Sequence, residues 1–386
     1  MMNKKPIRVH TIIFTKACPL ACRYCYFEHE NKELYDNYLE TSLSKEEFFN
    51  QLDFYDKNDD PENVITQILF SGGEPFLYWD WIKEAIEKYQ FRFKYQFNTS
   101  GYCFTEEMLE FLFHYNAQFV LSVDGGEKLT NYLRPVKSSP YKVGYYKKLK
   151  SILPTLLFYF PLTPFRIIVN SRYVDLLYEQ YLEAERLGFK YFSFILDFGQ
   201  RPNKLITNPW TEEATQILDQ QIALIIQDII LGYKNNIKKP ELTDINKIIY
   251  FLLKQKPYSP ENYECGVFNG RDTSSILSND KNISCFGNKD LNQIYKTLEQ
   301  EYKKCNHKCQ KDNNCFAFEY CAQTSCPKGA LEYNHQFFQP EELECIQIKV
   351  LYYNTLKFLD IMNQEENQDY FLYQKYINNL RDREEL

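Results

Sequence analysis

"IRVHTIIFTKACPLACRYCYFEH", residues 7–29, runs from an apolar, strand-like segment into Cys18, Cys22 and Cys25, spaced by three and two residues. A helix-like segment begins near Ser44, so the thiols fall in the loop between a strand and a helix. Three thiolates this close can hold a metal or an iron–sulfur cluster, and the missing fourth ligand matters as much as the three present. Four cysteines would close the site. Three leave one iron open to a ligand that is not protein, and an open iron is reactive.

The rest of the chain narrows how these thiols are read. At 386 residues, with 44% hydrophobic and 25% charged residues, the composition is that of a globular protein, and the net charge of −7 offers no basic surface for nucleic acid. The 32 Tyr and 30 Phe residues read as core packing rather than as base-stacking platforms, because no basic clusters accompany them. The N-terminus carries Arg8 and His10 and lacks a small-residue cleavage site, so it does not read as a secretory signal. "ILPTLLFYFPLTPFRIIV", residues 152–169, is broken by Pro154, Pro161 and Pro164 and holds Arg166, which argues against a membrane span. A cytoplasmic protein is expected, and in a reducing cytosol clustered thiols are ligands or catalytic groups more often than disulfides. Of twelve cysteines, three lie within the first 25 residues, Cys103 stands alone as a small buried residue, and eight fall between 265 and 345. Two ligand sets are implied.

A second motif follows the next strand, "ILFSGGEPF", residues 68–76. Gly72 and Gly73 remove side chains where backbone approaches a ligand, and Glu74 can accept hydrogen bonds from an ammonium group. C-x3-C-x2-C with Tyr24 before the third cysteine, followed fifty residues later by GGEP, resembles the radical S-adenosylmethionine (SAM) superfamily. The resemblance implies a [4Fe–4S] cluster on Cys18, Cys22 and Cys25, with its open iron chelated by the amino and carboxylate groups of SAM. Tyr24, Gly72, Gly73 and Glu74 would then contact SAM. Further on, "QFVLSVDGGEKLTNYLRP", residues 118–135, resembles the strand ending in S-x-D-G, with a later arginine, of the family's peptide-maturing branch. By that likeness Ser122 and Arg134 also touch SAM. Read from the residues alone they are a strand-end polar residue and a surface cation.

Strand-like runs at 7–14, 64–70, 95–100, 118–123, 165–170 and 191–196 alternate with helix-like segments near 44–55, 79–89, 105–115, 142–152, 174–187 and 211–231. Six βα units in series predict an α/β fold with a parallel sheet, a partial (β/α)6 TIM-like barrel. The motif residues, with Asn98 and Asn170, all fall at C-terminal strand ends, where such barrels carry their chemistry.

The later thiols begin with Cys265 and Cys285, flanking a hairpin-like stretch with a turn at 279–282, and continue with Cys305, Cys309, Cys315, Cys321, Cys326 and Cys345. Eight thiolates can ligate two further four-iron clusters. Their order resembles the SPASM domain of peptide- and protein-maturing radical SAM enzymes. By that resemblance Cys309, Cys315, Cys321 and Cys345 hold one auxiliary [4Fe–4S] cluster, and Cys265, Cys285, Cys326 and Cys305 the other. The gaps of five after Cys309 and four after Cys321 depart from the usual pattern, and two zinc sites remain the other reading of the spacing. The expected domains are a barrel over 1–235, a linker over 236–263, a SPASM domain over 264–350 and a helical tail over 351–386.

The resemblance implies an oxidoreductase in which SAM, cleaved on the reduced cluster, yields a 5′-deoxyadenosyl radical that abstracts hydrogen from a peptide. Its substrate would be a ribosomally made precursor, crosslinked by a thioether or side-chain carbon bond. An external electron donor such as flavodoxin or ferredoxin would supply the electron. The barrel strand starts near Ile7, so no fused leader-recognition domain is expected, and leader recognition would fall to a separate protein or to the barrel and SPASM surface itself. A sulfatase-type formylglycine maturase is the alternative, lowered because Phe286 stands after Cys285 where those enzymes carry an aspartate. A non-enzymatic metal-binding scaffold is the third reading, disfavoured by the open three-cysteine site. No residue is singled out as the general base.

Overall fold

The computed structural model describes residues 5, 7–13, 15, 17–25, 43–137, 144–197, 210–254, 272–276, 315–318, 320–321 and 342–363. The chain divides into two units, one of residues 1–163, 200–207 and 263–305, the other of 164–199, 208–262 and 306–386.

In the first unit, β1 (Ile7–Ile13), β2 (Ile65–Ser71), β3 (Lys94–Thr99) and β4 (Gln118–Ser122) are parallel neighbours in that order. The helices α1 (Lys45–Asn58), α2 (Trp79–Tyr89), α3 (Glu106–His114), α4 (Glu127–Leu133) and α5 (Tyr145–Tyr159) connect and cover them. Alternation along the strands sorts their residues. Phe70, Phe97 and Phe119 stack on one another and meet Phe48 of α1, Phe76 and Phe104. The opposite parity places Gln67, Ser71, Gln96 and Asn98 together, with Gln67 Nε2 donating to Gln96 Oε1 at 2.6 Å and Asn98 Nδ2 to Ser71 Oγ at 3.3 Å. Among the described residues the largest fully buried side chains are all Tyr or Phe.

Capping matches the expected starts. Ser44 opens α1 with a capping box, its hydroxyl accepting from Glu47 N while the Glu47 side chain accepts from Ser44 N. The sequence reading ends a helix near 152, before Pro154, but α5 runs on to Tyr159. Proline removes one backbone donor there, and burial of Leu153 and Leu156 holds the turn that follows.

Beneath the sheet, His10 of β1 is buried, stacks on Tyr55 of α1 at 3.8 Å and meets Asp59 Oδ2 at 2.7 Å. Asp59 also accepts from Arg8 and from Thr66 of β2. Burial pushes the His10 pKa below its usual value of 6.5, against the opposing pull of Asp59. The folded state therefore binds fewer protons than the unfolded one just below pH 6.5, and stability falls as pH drops from there toward the lowered folded-state value. Melting temperatures measured against pH should show this decline in the wild-type protein and lose it in His10→Gln.

The second unit holds β5 (Pro164–Val169), β6 (Tyr191–Leu196) and β7 (Glu241–Leu242), parallel in that order, with α6 (Leu177–Arg186), α7 (Glu212–Lys234), α8 (Thr243–Lys254) and α9 (Glu342–Asn363). Asn354 of α9 donates to Asp219 of α7 at 2.6 Å, and Gln347 of α9 bonds the β6 backbone. Residues 241–254, inside the stretch expected as a linker, are β7 and α8. Residues 255–263 lie outside the described residues, and α9 spans residue 350.

Residues 272–276, expected within a hairpin, form β8, which pairs parallel with β1 from Val9↔Asp272 to Ile13↔Ile276. The rest of that expected hairpin, including its turn, lies outside the described residues. The class is α/β, a partial TIM-like barrel built from parallel strands, as the alternation of elements predicts.

Candidate active site

Two loops at C-terminal strand ends are zipped together. After β1, Thr15 and Ala17 present carbonyls that accept from Gly73 N and Glu74 N, each at 2.8 Å. Gly72 makes this closure possible, because its φ is +119° and an added Cβ would lie 2.7 Å from the Thr15 carbonyl oxygen and 2.9 Å from Ile13 Cγ2. Gly72→Ala should cost about 1–3 kcal/mol from backbone strain alone, read as a lowered urea midpoint.

Cys18, Cys22 and Cys25 lie half-buried on the same loop. Cys25 N donates to Cys22 O at 3.0 Å, and a two-stranded brace fixes the remainder: Ala21 N to Pro135 O, Arg23 N to Leu133 O, and Lys137 N to Pro19 O. Burial pushes the thiol of Cys18 up to about 11 and that of Cys22 up to about 12, with Cys25 adding to the rise at Cys18 and both Cys25 and Cys18 adding to it at Cys22. The three therefore sit within electrostatic reach of one another. Among the described residues, no three His, Cys, Asp or Glu side chains are grouped closely enough to hold one metal ion. Three thiols on one loop are the donor chemistry of an iron–sulfur cluster that takes one further ligand from outside the loop.

Around the loop stands a buried network. Asp124, just past β4 and fully buried, accepts from Arg134 Nε at 2.7 Å and Nη2 at 3.2 Å, and from the Tyr24 hydroxyl. The Arg134 guanidinium lies over the Tyr24 ring, 5.2 Å from its centre, and Nη1 is 3.9 Å from Cys22 Sγ. Arg134 is thus no surface cation.

Glu74 is buried, and its carboxylate accepts from Thr99 Oγ1, Ser100 Oγ, Ser100 N and Phe76 N. Burial raises its pKa and these hydrogen bonds oppose the rise. A carboxylate has about four acceptor positions, so an ammonium group would have to displace one of these donors. Ser122 ends β4, and its carbonyl lies 2.7 Å from the Tyr145 hydroxyl, which also meets the Ser100 carbonyl at 2.6 Å. Tyr145, Thr99 and Ser100 hold the strand ends, and sequence reasoning missed all three. Cys103 is half-buried, its thiol pushed up to about 12 by burial, with Glu74 and Cys18 adding to the rise and Lys148 opposing it.

In the second unit, Asn170 caps the turn after β5 and donates to Asp197 Oδ2 at 2.9 Å. Cys315, Cys321 and Cys345 fall on neighbouring segments, with Phe316 and Tyr320 of the 315–321 turn against Tyr352 of α9. Cys265, Cys285, Cys305, Cys309 and Cys326 lie outside the described residues.

Residues 12–149, which hold the three-cysteine loop, the glycine loop and the Asp124–Arg134 pair, match the Radical SAM superfamily. The match ends at residue 149 and leaves the rest of the chain uncovered. Curated relatives match over the same length scale. A protein of Archaeoglobus fulgidus is 33% identical over 129 residues, covering 33% of this chain and 28% of the relative. The radical SAM cyclopropyl synthase TigE of Paramaledivibacter caminithermalis is 22% identical over 138 residues, covering 33% and 29%. The matches span less than a third of the length of either relative.

Solved structures share the fold over more of the chain. Native anSMEcpe with bound AdoMet superposes with a TM-score of 0.66 at 14% identity, covering 92% of this chain and 99% of that one. SuiB of Streptococcus suis, bound to its precursor peptide SuiA, gives 0.53 at 17% identity, covering 88% and 76%. Among the described residues no helix is long and apolar enough to cross a membrane.

Proposed function

We propose that this chain is a radical SAM enzyme that modifies a peptide, with a SPASM-type C-terminal region carrying two auxiliary clusters. The observation that carries the reading is the three-thiol loop bonded through its backbone to the Gly72–Glu74 loop at the ends of β1 and β2. The bound cluster and SAM would supply a 5′-deoxyadenosyl radical for hydrogen abstraction. Cys18, Cys22 and Cys25 would hold the cluster, and Tyr24, Gly72, Gly73, Glu74, Ser122 and Arg134 would line the SAM site. Gly72 keeps the two loops at bonding distance, and the brace over 133–137 keeps the cysteines from splaying. The likeness of fold to SuiB and anSMEcpe is compatible with a peptide substrate, and the choice between crosslink and formylglycine rests on Phe286 after Cys285.

Anaerobically reconstituted protein should hold about twelve irons per chain when three four-iron clusters are filled. A plateau at four irons with two bound zincs would remove the auxiliary clusters from the account. The modification is tested by mass spectrometry after anaerobic incubation with reductant, SAM and either a precursor peptide encoded nearby or a sulfatase-type Cys peptide. Loss of two hydrogens with a new internal link in the precursor is expected. Conversion of the sulfatase peptide's Cys to an aldehyde, with the precursor untouched, would reverse the order of the two substrate readings.

A further inference from the structure

We propose that Arg134, aimed by Asp124, is a positioning residue for the iron–sulfur site that donates to the Cys22 sulfur and raises the electron affinity of the cluster held there. This rests on the reading of Cys18, Cys22 and Cys25 as cluster ligands. The geometry is specific. Asp124 engages one edge of the guanidinium through Nε and Nη2, and because the group is planar this fixes where the remaining nitrogen points. Nη1 then lies 3.9 Å from Cys22 Sγ, within reach of a hydrogen bond to sulfur.

Both partners are held still. Arg134 N bonds Thr130 O at the end of α4, and the segment that follows is laced to residues 19–23 by three backbone hydrogen bonds. Tyr24 supports the arrangement from below, with its ring under the guanidinium and its hydroxyl on Asp124. Arg134 is only 6% exposed and Asp124 is 0% exposed, so water screens this contact little.

The sign follows from charge. Reduction adds an electron to the cluster, and a cation at a ligand sulfur stabilises the more negative state. Hydrogen bonds to sulfur and local charge are the protein's means of setting such potentials. Asp124 opposes the effect, but its carboxylate engages Nε and Nη2 whereas Nη1 is the nitrogen at Cys22 Sγ, so the positive charge acts on the sulfur more strongly.

The test is an EPR-monitored redox titration of the anaerobically reconstituted full chain without SAM, following the signal that a Cys18/Cys22/Cys25→Ala variant lacks. Omitting SAM separates this role from any contact between Arg134 and SAM. Arg134→Gln should shift that midpoint to a more negative potential while the iron content is kept. Because Arg134→Gln leaves Asp124 buried without its cation, the double variant Asp124→Asn/Arg134→Gln, which buries no charge, is measured beside it and should shift in the same direction. An unchanged midpoint in the cluster-loaded double variant would overturn the proposal. Absence of any signal dependent on the three cysteines in the wild-type protein would instead overturn the site reading, and this inference with it.

Discussion

Replacing Cys18, Cys22 and Cys25 together with Ala is expected to abolish SAM cleavage, measured as methionine and 5′-deoxyadenosine released under reductant, while most of the iron is retained. The reason is covalent. The three thiols sit on one braced loop within residues 12–149, whereas the eight later cysteines belong to a separate stretch of sequence beginning at Cys265. An open iron cannot bind SAM if no thiolate holds the cluster. Cleavage at the wild-type rate in the triple variant would show that the loop is not the site. Loss of all iron with the three thiols would show that the two ligand sets are not independent.

Asp124→Ala should be the most damaging single change to stability near the site, at about 3–5 kcal/mol, because it leaves the buried Arg134 guanidinium without its counter-charge. It also removes the acceptor of the Tyr24 hydroxyl. Urea unfolding of Asp124→Ala beside Asp124→Ala/Arg134→Met separates the parts. The double variant should recover much of the loss, since replacing a buried pair by apolar groups is often close to neutral whereas breaking it is not. A single variant as stable as wild type would contradict the burial and bonding of this pair.

Much of this architecture was legible before any coordinates. The order and type of the first six strands and of the six helices read between and after them follow from period-two and period-3.6 alternation, the short helix Glu127–Leu133 being read only as a loop, and the caps at Ser44, Thr105 and Thr211 each accept from a backbone N–H of the first turn. The placement of the cysteine loop beside Gly72 and Gly73 was legible too, because both motifs follow strands and parallel neighbours bring their ends together. What escaped was set by partners distant in sequence. β8 comprises only five residues whose strand character depends on pairing with β1, some 260 positions away, so local pattern read it as part of a hairpin. The continuation of α5 past Pro154 is decided by the burial of Leu153 and Leu156, which propensity does not register.

The site shows the same division. Motif spacing marks Glu74 as an acceptor, yet only the fold brings Thr99 and Ser100 from the end of β3 onto its carboxylate. Arg134 reads in isolation as a surface cation, and it is Asp124, ten residues earlier, that draws it into the interior. No short pattern announces that Tyr145 ties the ends of β3 and β4. Its role comes from packing.

The most direct test of the account is the EPR spectrum of the anaerobically reduced protein recorded before and after adding SAM. If Cys18, Cys22 and Cys25 hold a cluster with one open iron, SAM should alter the signal of that cluster and of no other, and the altered signal should be missing from the Cys18/Cys22/Cys25→Ala variant. An iron-loaded protein whose spectrum is identical with and without saturating SAM would contradict it.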